Sequence, residues 1–470
     1  MLYFREEEKR LLNQFVQNHS EKAMAVYGRR RIGKTALMMD FFHSHEEENL
    51  CVYYQCTSFD YALCLKDFID VLRPLVPDSF MLDSLTSFRH IFQYLTQIHI
   101  ENKIFIIDEF PFLAKKDDNV PVEFQWIIDH GLGSNKLILL GSSLSFMKRQ
   151  IGDREAPLYG RFNRILELRP FSFDEVHTLF SSFEDAVAVY ARTGGVAQYV
   201  MLYKAYSSVK EADAALFFTP HGQLFQEAEN LLMQELREVT TYISILRAIG
   251  TGEKESGQIS EKCGMDPRAV FGYLNKLIDL NILSIVSNPL SVKQKGKRYT
   301  ISDLMFRFHF SFIDPKTSLI TTAREKSIPY ILNHQYSEYL GYVYESIIRG
   351  QCYYFGLRNI FPFMPFSVGK WWGNIQKEGK WEESEIDVVA FDDNHLVIGE
   401  CKYRNKAVGL LELKSLQAKG MFVQSKNREL YYLLASKSGF TEELLSLKDS
   451  HVILIDRSDP VEYVPPDHFD

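Results

Sequence analysis

Gly28-Arg29-Arg30-Arg31-Ile32-Gly33-Lys34-Thr35 fills every fixed position of a phosphate-cradling loop: a glycine, four free residues, then Gly-Lys-Thr. The chemistry explains the residue types. Glycines let the backbone curl until its N–H groups point inward at the α- and β-phosphates. Lys34 brings a point charge to the β/γ oxygens, and the Thr35 hydroxyl is placed to hold Mg²⁺. Gly28, Arg29, Arg30, Arg31, Ile32, Gly33, Lys34 and Thr35 are thus expected around a nucleotide. The flanks agree. Ala23-Met24-Ala25-Val26-Tyr27 reads as a short buried strand entering the loop, and Thr35 to Phe42 reads as a helix leaving it. The phosphates would then meet a helix N-terminus.

A second buried strand should end in acid. Lys103-Ile104-Phe105-Ile106-Ile107 is followed by Asp108-Glu109. Asp108 is expected to hold the Mg²⁺ through water, and Glu109 to act as general base on the attacking water. Together the two stretches predict ATP binding and hydrolysis.

At 470 residues, 46% hydrophobic and 24% charged, the chain has the composition of an ordinary globular protein with room for several domains. A formal net charge of −8 argues against a surface that coats nucleic acid throughout, though not against a local basic patch. The six cysteines, Cys51, Cys56, Cys64, Cys263, Cys352 and Cys401, form no CxxC pair and read as reduced thiols of a cytoplasmic protein. The charged start, Met1 to Glu8, is unlike a signal peptide, and no apolar run approaches the roughly 18 residues of a membrane helix.

Downstream, strands alternate with helices, which predicts a parallel sheet with ligands at the strand C-termini. Phe4-Arg5 precedes a helix from Glu6 and is a candidate to sit over the adenine. Lys136 to Gly141 is a strand ending in Ser142-Ser143; it should neighbour the acidic strand and put a hydroxyl, Ser142 foremost, where a γ-phosphate sensor would sit. Arg161, just before the strand Arg164 to Leu168, is a candidate to reach a neighbour's γ-phosphate, which leaves room for a homo-oligomer. Residues 171–238 read as a helical lid. From 239 to 315 the pattern is three helices and a hairpin whose loop carries Lys293, Lys295, Lys297 and Arg298. That is a winged helix-turn-helix, with DNA as its expected partner.

With these motifs, the chain resembles the bacterial and archaeal "archaeal-type" P-loop ATPases, kin to the signal-transducing ATPases with numerous domains. The resemblance extends through Gly194-Gly195 and Tyr299 to Phe308. Where such proteins read Gly-Gly-x-Pro, this sequence has Ala197. The resemblance implies a fold and an ATP site, not a process.

The C-terminal stretch carries a second constellation. Ser384 to Phe391 and Leu396 to Lys402 flank a turn at Asp393-Asn394. With that turn Phe391 faces Leu396, Asp387 faces Glu400, and Glu400 and Lys402 share one face. Asp387 and Glu400 could share one Mg²⁺, with Lys402 orienting or deprotonating a water. This resembles the PD-(D/E)XK nuclease core, with Glu345 matching its upstream helix glutamate and helix Leu410 to Lys419, carrying Gln417, behind. The expected fold class is α/β: a P-loop NTPase parallel sheet over 1–170, the lid, the winged helix, and a C-terminal α/β restriction-endonuclease-like domain over 325–470. The expected function is an ATPase whose nucleotide state controls a DNA-binding, Mg²⁺-dependent nuclease-like domain. The alternative is a nucleotide-dependent signalling switch or DNA-binding regulator that cuts nothing.

Overall fold

Uninterrupted apolar runs, rather than alternating ones, mark strands covered on both faces. The chain was described as a computed structural model over residues 3–45, 50–250, 252, 254–286, 288–290, 297–377, 379–423 and 427–456. Its first five runs are β1 (Ala23–Tyr27), β2 (Cys51–Gln55), β3 (Ile104–Asp108), β4 (Lys136–Gly141) and β5 (Arg164–Glu167). All pair in parallel, in the order β2-β3-β4-β1-β5. β4 lies between β1 and β3, so the phosphate loop, Ser142 and the Asp108-Glu109 pair emerge from adjacent strand ends. Helix α1 (Glu6–Gln17) buries Leu12 and Phe15, and α2 (Lys34–Ser44) buries Leu37, Met38 and Phe41 against the sheet residues Val26, Ile106 and Leu140.

The chain divides into two compact units. One holds the residues up to Phe171 together with Val196–Gln198, and the other holds the rest. Apart from Val196–Gln198, the residues read as lid, three-helix segment and C-terminal segment fall into the second unit. The helix α7 below explains why.

In the second unit, α3 (Phe183–Thr193) ends at a left-handed Gly194. Helices α4 (Val239–Ile249), α5 (Ser256–Cys263) and α6 (Pro267–Asp279) accompany a small antiparallel sheet of β6 (Lys254–Glu255), β7 (Leu283–Val286) and β8 (Arg298–Ile301), in the order β6-β8-β7. Asp266 caps α6 by accepting from the Arg268 N–H, with Pro267 in the first turn. Lys293 and Lys295 lie outside the described residues.

Helix α7 (His334–Leu357) then runs across two neighbours. Near its start Tyr336 accepts from the buried Arg192, and Tyr339 donates to the Ala191 carbonyl, both on α3. Further along, its apolar face packs on the C-terminal sheet. That sheet comprises β9 (Ser367–Lys377), β10 (Lys380–Phe391), β11 (His395–Lys402), β12 (Glu429–Ser436) and β13 (Val452–Asp456), ordered β13-β12-β11-β10-β9. β9, β10 and β11 are antiparallel neighbours, while β11, β12 and β13 run parallel. Helix α8 (Leu410–Gly420) crosses between β11 and β12 and packs Leu413 and Leu416 on Ile386, Val389, Leu396 and Ile398. Trp371-Trp372 lie inside β9.

Candidate functional site

The loop after β1 has the backbone its sequence requires. A Cβ on Gly28 would meet the Leu168 carbonyl oxygen at 2.6 Å, so only glycine fits there. Gly33 is left-handed at φ 102°, a region costly for any other residue. Lys34 Nζ donates to the carbonyls of Gly28 (2.8 Å) and Arg29 (3.0 Å). The ammonium is thus held by the loop's own main chain.

Not every loop side chain faces the same way. Ile32 is buried in the core, and Arg30 lies over the Phe112 ring, 5.7 Å from its centroid. Arg31 is left-handed at φ 67°, and its carbonyl accepts from Gln198 N–H at 3.1 Å. Ala197, in the place of the usual proline, comes 3.9 Å from where a Cβ on Gly33 would stand. These residues act through main chain and packing. Arg5, a candidate for the adenine together with Phe4, is buried and donates to the carbonyls of Ile32 (3.1 Å) and Arg169 (3.0 Å), tying the loop to the strand end.

The acidic strand meets the loop directly. The buried Asp108 accepts at Oδ2 from Thr35 Oγ1 and from Tyr53 OH, both at 2.8 Å. Burial, and then the Asp108 charge, push the Tyr53 hydroxyl well above its ordinary pKa, so it stays a donor. Glu109 is left-handed at φ 54°, a conformation costing about 1 kcal/mol or more outside glycine. Its carboxylate accepts from Ser142 Oγ at 2.6 Å. The serine expected to sense a γ-phosphate is therefore engaged with the expected general base. Arg161 is half-exposed, donating to the Tyr159 carbonyl (2.9 Å) and pairing with Asp129 (3.4 Å).

The C-terminal hairpin pairs in the register counted from its turn, with Phe391 opposite Leu396 and Val388 opposite Gly399. The β10–β9 pairing carries a bulge that regular strand alternation does not anticipate. Ile386 faces Trp371 and Val389 faces Gly369, so Asp387 and Val388 together oppose Lys370. There Asp387 Oδ2 accepts from the Cys401 N–H at 2.9 Å. Glu400 Oε1 accepts from Lys402 Nζ at 2.6 Å, and its Oε2 from Lys419 Nζ at 2.9 Å. Arg349, on α7, donates to the Asp387 carbonyl at 2.7 Å.

Charge in this cluster is unevenly shared. Burial, followed by the nearby Glu345 and Glu400 carboxylates, raises the Asp387 carboxyl well above the ordinary range. Burial also disfavours the charge on Glu400, but Lys402 and Lys419 outweigh it and hold Glu400 low. Burial would lower Lys402, yet Glu400 outweighs that and keeps the ammonium protonated. Lys402 is thus held as a cation beside Glu400. Glu345 Oε2 is buried and receives no hydrogen bond, with Arg349 and Lys370 standing off at 3.5 and 3.8 Å. An underbonded carboxylate beside a carboxyl that resists ionisation fits a divalent cation. Sequence reasoning missed Lys419 and Lys370; Gln417, named on the same helix as Lys419, is half-buried. Elsewhere, Glu229, His309 and Asp314 come together, but Arg247 takes both Asp314 oxygens (2.8 and 2.7 Å), leaving an ion-pair cluster.

Comparison with known proteins bears on both regions. Residues 2–202 match the family model of an ATPase domain predominantly from Archaea, and residues 309–419 match one described as Archaea bacterial proteins of unknown function. An uncharacterized protein of Methanocaldococcus jannaschii is 30% identical over 445 residues, covering 92% of this chain and 91% of its own length. Among solved structures, the ORC2 protein of Aeropyrum pernix, in ADPNP–ADP complexes, is 14% identical with a TM-score of 0.45; the match spans 68% of this chain and 94% of that one. Cdc6p of Pyrobaculum aerophilum is 13% identical with a TM-score of 0.34, over 70% and 95% of the two chains. No helix among the described residues is long and apolar enough to cross a membrane.

Proposed function

The chain belongs to the family of that archaeal relative, with an ATPase domain followed by the segment shared with archaeal and bacterial proteins of unknown function, and from this we propose that its ATP site regulates a nucleic-acid-binding, nuclease-like C-terminal domain. The observation that carries the reading is the convergence of Asp387, Glu400, Lys402 and Lys419 at a bulged hairpin, in a helix–three-strand–helix–strand succession like that of PD-(D/E)XK nucleases. Asp387 and Glu400, with Glu345 beside them, are the groups that would hold a divalent ion. Such an ion supplies polarisation of a phosphodiester and a more acidic bound water. Lys402 orients the water or the scissile phosphate.

At the other site, Gly28 to Thr35 and Asp108 would hold Mg²⁺–ATP, and Glu109, oriented by Ser142, would take the proton of the attacking water. The three-helix segment supports DNA as partner through a winged-helix reading: α6 exposes Arg268, Phe271 and Asn275 at successive helical turns. The test is plasmid cleavage with Mg²⁺ or Mn²⁺, with and without ATP, for wild type, Lys34→Ala and Lys402→Ala. Cutting by wild type that Lys402→Ala abolishes supports the reading; identical behaviour of all three on DNA and RNA overturns the nuclease part.

A second reading has its own observation. Both oxygens of Glu400 are already taken by lysines, as in a structural ion cluster. On that reading the C-terminal unit docks partners in a nucleotide-dependent switch, and the full chain shows no metal-dependent change that Asp387→Asn removes.

A further inference from the structure

The basic residue at the end of the β7–β8 loop is not turned to solvent. Arg298, at the start of β8, donates to both Glu383 and Glu385 on β10, the latter at 3.1 Å. Its guanidinium also lies over the Trp372 ring, 5.1 Å from the centroid. The same loop is fastened at two further points. Asn288 Nδ2 donates to the Trp372 carbonyl at 3.2 Å, and Leu290 packs on the apolar cluster of the C-terminal sheet. A guanidinium held by two carboxylates has the anionic oxygen partners that the phosphates of a nucleic acid would also supply.

We propose that Glu383 and Glu385 occupy, on the Arg298 surface, the position of nucleic-acid phosphates, so that a bound duplex and the β9–β10 ribbon compete for one guanidinium. This rests on the nucleic-acid reading above and adds to it a masked contact surface. The masking reaches the C-terminal cluster through Glu385. Its Oε2 pairs with Lys370 at 3.2 Å, Lys370 stands 3.8 Å from Glu345, and Arg349 joins Glu345 (3.5 Å) to the Asp387 carbonyl (2.7 Å). Phosphate that takes Arg298 releases Glu385 and changes what Lys370 must neutralise, next to the carboxylates of the candidate cleavage site. Nucleic-acid engagement and the electrostatics of that site are thereby one equilibrium.

The test is affinity of the full chain for a short blunt DNA duplex, across a salt series. It compares wild type, Glu385→Gln, Glu382→Gln, Arg298→Ala and the Arg298→Ala/Glu385→Gln pair. Glu382 is exposed on the same strand and supplies the same change in net charge. The expected result is about tenfold tighter binding for Glu385→Gln with a salt slope steeper by about one phosphate contact. Glu382→Gln changes binding by about twofold or less, and the gain vanishes in the Arg298→Ala background, because only a freed arginine can use it. Equal gains from Glu385→Gln and Glu382→Gln, or a gain that survives Arg298→Ala, overturn the masking while leaving nucleic-acid binding standing. No binding by any of the five proteins overturns the nucleic-acid reading itself. Glutamine matches glutamate in shape, and thermal unfolding of each variant confirms that a folded protein is compared.

Discussion

The two candidate sites are built on opposite plans. Around Gly28–Thr35 the specifying feature is backbone shape: a glycine no side chain can replace, a left-handed Gly33, and a lysine bonded to main-chain carbonyls. At the C-terminal hairpin it is side-chain charge: four ionisable groups from β10, β11 and α8, tied to each other and braced from α7. A shape-encoded site is written in consecutive residues. A charge-encoded site is written wherever the fold brings strands and helices together, so each plan fails differently under mutation.

The sharpest break comes at the loop. Lys34→Ala should reduce ATP hydrolysis by about a hundredfold or more, because Lys34 is the loop's charge for the β/γ oxygens; phosphate release measures it. Gly28→Ala should do as much and also lower the unfolding temperature, since its Cβ would stand 2.6 Å from a main-chain oxygen that cannot move away cheaply. Neither change should alter divalent-ion binding at the C-terminal cluster. If it does, the two plans are not independent.

Within the charged cluster the effects should be graded. On the nuclease reading, Lys402→Ala is expected to abolish metal-dependent cleavage, about a hundredfold or more. Lys419→Ala should cost about tenfold, because Glu400 keeps Lys402 as a partner. Glu400 without either lysine loses what holds its pKa low. Parallel cleavage assays of the two variants check the order, and equal losses would make the cluster one inseparable unit.

This grading shows what could be read in advance. Asp387, Glu400 and Lys402 stood out because charged residues are poor choices in a strand of Val, Ile and Phe. Lys370, between Val368-Gly369 and Trp371-Trp372, satisfies the same rule. Lys419 gave no such signal. A lysine in the last turn of a helix reads as a partner for the helix dipole, and only the packing of α8 on β11 turns it toward Glu400. The bulge at Asp387 was invisible for a different reason, since strand alternation assumes regular pairing. In the first unit the loop and the adjacency of β3 and β4 were legible, because β1, β3 and β4 are apolar runs followed by the phosphate loop, Asp108-Glu109 and Ser142-Ser143. The single unit formed by lid, three-helix segment and C-terminal sheet was not, because a helix that joins two neighbours carries the same amphipathic pattern as one that serves a single domain.

A smaller effect follows from the raised Asp387 carboxyl, which stands at about 7 because of burial and then Glu345 and Glu400. A carboxyl raised in the folded protein contributes stability that is fully present below its unfolded pKa of about 4 and is lost as pH rises through the folded value. The metal-free protein should thus lose stability between about pH 4 and 7 from this group. Divalent affinity should rise about tenfold per unit over the upper part of that window, as the proton that competes with the ion leaves. Unfolding temperatures with and without Mn²⁺, from pH 5 to 8, would show the two slopes. Asp387→Asn should flatten both, and slopes that persist in that variant assign the titration to another group.

The finest distinction lies in the ATP site, where one side chain-to-side chain bond resembles the plan of the other site. Ser142 holds Glu109, whose left-handed backbone already aims it, so removing the hydroxyl takes away the second of two constraints. Ser142→Ala should cost about 1 kcal/mol of stability and about tenfold or less in turnover. ATP affinity should be unchanged, because the serine's bond is to Glu109 and not to the loop. Nucleotide titration beside steady-state hydrolysis separates the two quantities. A fall in affinity with turnover intact would return Ser142 to the role of phosphate sensor, and backbone shape alone would then account for the aim of Glu109.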